Sequence, residues 1–185
     1  MNRLTAVVFV ALLASGTAIA QDAPRCAAPE YRAFDFWLGD WTVRTADGTV
    51  AGRNEIQAMA GGCGLLEHWR GVRGGEGMSL NAFDPVLGRW TQRWVGAGVV
   101  LWLEGGLVDG AMVMVGPTPR QTPQGAFLDR ITWTPLDDGR VRQFWEVSSD
   151  GGATWQPYFD GYYSRTAATG GGSDGSGLKP RSFDF

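Results

Sequence analysis

The sequence predicts an all-β domain, an antiparallel meander of eight to ten strands closed into a barrel. Three observations carry that prediction. Large apolar residues alternate with polar ones at a period of two, most plainly in Trp90-Thr91-Gln92-Arg93-Trp94, and this is the period of a strand, whose successive side chains point to opposite faces. Turn-forming pairs recur at strand-length intervals, supplying positive-φ or turn-initiating residues. Beyond residue 20 no segment keeps a 3.6-residue apolar period free of Gly or Pro, and only Pro29 to Trp37 has room for a turn or two of helix. Closure is favoured over an open sheet because it abolishes exposed strand edges.

Taken in chain order, residues 1–20 read as a secretory signal peptide. Arg3 supplies the positive start, Ala6 to Leu13 the apolar core and Ala18-Ile19-Ala20 the small-residue cleavage site. The apolar run is too short to cross a hydrocarbon core of about 30 Å as a helix, and no cysteine follows it at the cleavage point to carry a lipid. The mature chain is expected to begin at Gln21, with no membrane span left. Strands are then expected near 40–45 before Asp47-Gly48, 50–58 before Gly61-Gly62, 64–71 before Gly74-Gly75, 77–83 before Asp84-Pro85, 89–95, and 98–104 before Gly105-Gly106. Further strands are expected near 107–115, 127–134, 140–148 and 155–164, with Asp109-Gly110, Asp138-Gly139 and Gly151-Gly152 as further punctuation. Residues 21–166 thus form one domain. Residues 167–185 form a Gly/Ser-rich tail that cannot bury enough surface to offset its ordering entropy, and the two aromatics of its terminal Phe183-Asp184-Phe185 have no assigned role.

Composition narrows the partners. Without the signal the chain has fifteen basic and nineteen acidic side chains, which offers neither the basic footprint of a nucleic-acid binder nor a polybasic patch for anionic membrane. Cys26 and Cys63 are the two cysteines. An even pair in an exported chain reads as a disulfide, closing a loop whose constraint on the unfolded chain contributes on the order of 3 kcal/mol; two free thiols are the alternative. His68 and the two cysteines lack the spacing of a metal site, so no metal or cofactor is expected.

Gly39-x-Trp41 at the entrance to the first strand resembles the Gly-x-Trp of lipocalins and their calycin relatives. In that superfamily the tryptophan plugs one end of the barrel under an arginine from the last strand, and the resemblance nominates Arg165 for that part. The series Phe36-Trp37-Leu38-Gly39-Asp40-Trp41, Gly62-Cys63, Glu67-x-Trp69, Ser79-x-Asn81, Trp90-x-Gln92-x-Trp94, Arg130-Ile131-Thr132-Trp133, Arg142-Gln143-x-Trp145-Glu146 and Asp160-Gly161-Tyr162 resembles a lipocalin-like family of exported bacterial proteins without assigned activity. The likeness covers residues 31 to 165 and implies a barrel and a periplasmic or secreted location, but no reaction. Ser148-x-Asp150-x-Gly152-x-Thr154-Trp155 also resembles the Asp-box of sialidase propellers. A single copy lacks the repetition of a propeller and is read as a structural hairpin turn.

Alternation sorts the candidate site residues. Trp69, Asn81, Trp90, Gln92, Trp94, Gln143 and Trp145 are expected to face inward, with Glu67 or Arg130 as buried charges. A purely structural core rarely places Glu67, Asn81, Gln92 and Gln143 on its inner surface, because each buried polar group left unpaired costs roughly 1–3 kcal/mol. The expected function is therefore binding of a small, partly apolar or aromatic molecule in a tryptophan-lined cavity. Two alternatives remain at this stage. An envelope-associated interaction module would have a fully packed aromatic core, and its polar groups would form an internal network. A carboxylate-based hydrolase or isomerase would use Glu67 with Glu146 or Asp160, although alternation sets Glu146 on the opposite face. Nucleophilic triads lack support, since His68 is the one histidine, and its expected outward position also argues against haem.

Overall fold

The computed structural model describes residues 26–166 except Ala97. Its eleven strands are β1 (Gly39–Thr45), β2 (Val50–Met59), β3 (Gly64–Gly71), β4 (Glu76–Asp84), β5 (Arg89–Gly96), β6 (Val99–Val108), β7 (Ala111–Val115), β8 (Arg120–Thr122), β9 (Gly125–Pro135), β10 (Val141–Ser148) and β11 (Gln156–Arg165). Every pairing is antiparallel. Sequential neighbours pair from β1 through β7, β7 pairs with β9, β9 with β10, β10 with β11, and β11 returns to β1. The result is a closed ten-stranded barrel, with β8 hairpinned onto β9 outside the ring. A single short helix, α1 (Pro29–Arg32), and the 3-10 turn Asp35–Trp37 occupy the lead-in, where proline at the first helical position favoured a turn. None of the described helices is long and apolar enough to cross a membrane.

Two details of the expected strands are corrected. The break expected at Gly105-Gly106 does not occur, and β6 continues through both residues to Val108. Chain reversal falls instead at Asp109-Gly110, whose φ values of 49° and 82° suit the two-residue hairpin turn that matches strand twist. Gly105 is needed for a different reason: a Cβ there would overlap the backbone carbonyl of Val113 on β7. The short β8 was not anticipated, since Arg120-Gln121-Thr122 lacks an apolar pattern.

One end of the barrel is plugged. Phe34 lies stacked on Trp37, with ring centroids 4.9 Å apart, and meets Trp90 and Trp133 edge-on. Trp41 and Tyr163 complete this aromatic floor, and all of these rings are buried. The lead-in is tied down by the Trp90 indole N–H, which donates to the Glu30 carbonyl at 3.0 Å, and by the Trp41 N–H, which donates to the Trp37 carbonyl at 2.8 Å. The Cys26–Cys63 disulfide spans 37 positions and fastens the start of the lead-in to the β2–β3 connection at the same end. Arg165 places its guanidinium 3.9 Å from the Trp41 ring centroid and donates to the Leu38 carbonyl. Gly39 has φ of 129°, and a Cβ on it would collide with that guanidinium, so the glycine of Gly39-x-Trp41 makes room for the arginine. The signal peptide and the tail expected at residues 1–20 and 167–185 lie outside the described residues.

Candidate functional site

Ten strands enclose more room than side chains alone readily fill, since an interior of about eight strands is just wide enough for them. Here the floor rings fill the lower half and a cavity of about 360 Å³ occupies the upper half. Its deep wall is buried and includes Glu67, Gln92, Trp133 and Tyr163. Its outer wall includes half-buried Trp69, Trp94, Trp145 and Phe159 and ends at Tyr158, which is 62% exposed. The cavity therefore opens at the end opposite the disulfide.

The outer rings lie flat along the wall because glycines on adjacent strands leave them space. The Trp69 ring lies across Gly52, where an added Cβ would stand 2.6 Å from Cη2, and Trp94 lies across Gly77 in the same way. Trp145 is fixed from behind. Its indole N–H donates to Asp129 Oδ1 at 3.0 Å, and Arg120 grips both oxygens of the buried Asp129 at 2.9 Å. Tyr158 packs on Trp145 with centroids 4.5 Å apart.

A polar chain runs around the deep wall through six strands. Tyr163 Oη donates to Gln143 Oε1 and accepts from Asn54 Nδ2 at 3.3 Å. Asn54 Nδ2 also donates to Glu67 Oε1 at 2.7 Å, and Ser79 Oγ donates to Glu67 Oε2. Asn81 Nδ2 donates to Ser79 Oγ at 2.8 Å, and Gln92 Nε2 donates to Asn81 Oδ1 at 2.7 Å. Burial raises the Glu67 carboxyl to about 7, against the opposing pull of the Ser79 and Asn54 donors. Burial, and then the neighbouring Glu67, likewise push the Tyr163 hydroxyl well above its usual range, so it remains a donor. Gln92 Oε1 and Gln143 Nε2 are left without a protein partner among the described residues, and both glutamines line the cavity. The buried Trp133 indole N–H is unpartnered as well.

Of the residues expected from the sequence, Glu67, Trp69, Gln92, Trp94, Gln143 and Trp145 come together around the cavity. Asn81 is buried behind it, where it links Ser79 to Gln92. Trp90 faces inward but belongs to the floor against Phe34 and Phe83. Arg130 is a correction: inward Asp129, Ile131 and Trp133 leave it on the outer face, paired with Glu146 and over the Trp155 ring at 4.2 Å. Neither carboxylate considered as a partner for Glu67 is near it in the bonding pattern, since Glu146 engages Arg130 and Asp160 engages Arg142. His68 bonds Glu76 and Arg70 on the outside.

Tyr163, Tyr158, Phe159 and Trp133 also line the cavity, and Asn54 and Ser79 belong to the polar chain, although alternation alone did not single them out. Trp133 had a legible signal, alternating with polar neighbours in Ile131-Thr132-Trp133-Thr134, whereas adjacent Tyr162 and Tyr163 leave period-two alternation no way to choose between them. The Asp-box segment is a turn closed on itself: Asp150 accepts from the Thr154 N–H at 2.9 Å and the Thr154 hydroxyl at 2.6 Å, while the Gly152 N–H bonds Ser148 Oγ at 2.8 Å. These bonds hold the Asp150 carboxyl well below the usual carboxylate range. Among the described residues no three His, Cys, Asp or Glu side chains cluster as metal ligands would.

Fold and site together define a closed antiparallel barrel with an aromatic-walled cavity above a polar girdle. The chain matches no known protein-family model and no curated protein.

Proposed function

We propose that this chain is an exported, lipocalin-like protein that binds a small, partly apolar molecule in the upper half of its barrel. The observation that carries the reading is the cavity itself. Its volume of about 360 Å³ falls in the range of small-molecule sites, which pair mostly apolar walls with a few placed polar groups. An interaction module with a packed aromatic core would have no use for that space. Export is supported by the signal-like residues 1–20 and agrees with the Cys26–Cys63 bridge. In this reading residues 21–166 are the folded domain and 167–185 a tail. Ten strands depart from the eight of typical lipocalins, so the kinship proposed is one of barrel type and closure by Trp41 and Arg165.

The test is mass spectrometry of molecules that co-purify with the native protein, followed by titration of tryptophan fluorescence. Four indoles line the cavity, so an entering ligand changes their emission saturably. Trp94→Ala weakens binding by on the order of 1–3 kcal/mol by removing one wall, and Gln92→Leu weakens any ligand that uses its free carbonyl. If nothing co-purifies, and a screen of fatty acids, quinones, aromatic metabolites and oligosaccharides gives no saturable response, the interaction-module reading takes its place.

A further inference from the structure

Resting on the binding reading above, we propose that the ligand class is an organic cation: a protonated amine on a flat apolar body, with its ammonium group set against Glu67 among the indoles of the cavity. Glu67 is the one formally charged side chain among the lining residues. It has no ion pair among the described residues, and arginines of β8, β9 and β10 are committed to other carboxylates: Arg120 to Asp129, Arg130 to Glu146 and Arg142 to Asp160. A buried carboxylate without a counterion is costly, and a cation brought in by the ligand offsets that cost.

The remaining chemistry points the same way. Each Glu67 oxygen accepts one protein hydrogen bond and keeps a second lone pair for a ligand N–H. Gln92 Oε1 offers a further acceptor on the same deep wall. Trp94 shares a cross-strand row with Glu67, through Glu67↔Ser79 and Ser79↔Trp94, and Trp69 stands two residues further along the same face of β3. Indole faces attract cations, and aromatic enclosures are the usual means of holding alkylated ammonium groups. A carboxylate ligand would meet the like charge of Glu67 with no lining Lys or Arg to receive it.

The assignment carries a pH signature. Glu67 accepts from Asn54 of β2 and Ser79 of β4, and Gln92 of β5, Gln143 of β10 and Tyr163 of β11 stand with it around the deep part of the cavity. Of these only Tyr163 titrates, and its hydroxyl is held protonated. Asp129 of β9 is gripped by Arg120 behind Trp145, and His68 and Arg70 of β3 face outward. With its carboxyl raised to about 7, Glu67 must release its proton to hold a cation.

The experiment compares three naphthalene probes by calorimetry: 1-naphthylmethylamine, the neutral 1-naphthylmethanol and the anionic 1-naphthoate. Near pH 8 the amine is expected to bind about tenfold or more tightly than the alcohol, a difference of about 1.4 kcal/mol, and naphthoate more weakly still. Near pH ~5.5 the preference shrinks severalfold and protons are released on binding, visible as a buffer-dependent heat. In Glu67→Gln the amine and alcohol converge. Should that variant fail to fold, the pH dependence and proton release of the unaltered protein decide the matter. An alcohol or naphthoate that binds as tightly as the amine, or an amine preference independent of pH, overturns the cation assignment and leaves the cavity reading standing. No saturable binding of the amine overturns the cation assignment too, and the cavity reading then stands or falls on the co-purification and screening test above.

Discussion

Glu67 should make this barrel less stable as the solution turns from mildly acidic to mildly basic, the reverse of the behaviour of most ion-paired carboxylates. Its carboxyl is raised from an ordinary 4.5 to about 7 by burial in the deep wall. Between those values the folded protein holds a proton that the unfolded chain has released. Stability is therefore greatest below 4.5 as far as this group is concerned, falls as pH rises toward 7, and levels off above it. Each tenfold change in proton affinity is worth about 1.4 kcal/mol, so the whole span is on the order of 3 kcal/mol, of which roughly 2 falls between pH ~5 and ~8. Asp47, Asp138 and Asp150, whose carboxyls are held low by their hydrogen bonds, act oppositely, but they lose their contributions only at lower pH. The assay is urea unfolding across that window at constant ionic strength, comparing the protein with Glu67→Gln. Both carry His68→Gln, which removes the one histidine of the sequence from the comparison. The Glu67→Gln profile should be flat and the other should slope downward. Parallel profiles would refute the reasoning, as would a slope of the opposite sign. A bound cation should flatten the slope by stabilising the ionised carboxylate.

Reduction of the Cys26–Cys63 bridge, or Cys63→Ser, should release the lead-in from the barrel floor and cost on the order of 3 kcal/mol in the chain-entropy account, read as a fall in Tm of several degrees by calorimetry; an unchanged Tm would show that the floor holds without it. Arg165→Ala removes both the cation–π contact with Trp41 and the bond to the Leu38 carbonyl, and should lower unfolding free energy by roughly 1–2 kcal/mol. Because Arg165 lies at the plugged end, binding in the cavity should be unaffected, which separates it from Trp94→Ala.

The period-two pattern was enough to assign faces: Glu67 with Trp69, Gln92 with Trp94, and Gln143 with Trp145 all stand where alternation set them, because a strand offers a side chain only two directions. Local turn chemistry was enough to find most reversals, and the resemblance of Gly39-x-Trp41 to the lipocalin Gly-x-Trp implied which end is closed. Depth along the barrel was not legible. Trp90 and Trp94 share a face yet stand about 13 Å apart along β5 at strand rise, so one joins the floor and the other walls the cavity, and that division depends on how far Phe34 and Trp37 of the lead-in reach into the ring. On β9 the alternation of Ile131 and Trp133 with threonines puts Asp129 inside and Arg130 outside, but what makes a buried Asp129 tolerable was not legible: Arg120 from the short β8 and the Trp145 indole meet it there, while Arg130 finds Glu146 and Trp155 outside. The free ends of Gln92 and Gln143 were likewise invisible, because which end of each amide is already bonded is decided by a partner on the adjacent strand, Asn81 for Gln92 and Tyr163 for Gln143. Strand identity and facing are properties of neighbouring residues and so belong to the sequence, whereas the cavity and its charge balance arise from distant side chains brought together only when the ring closes.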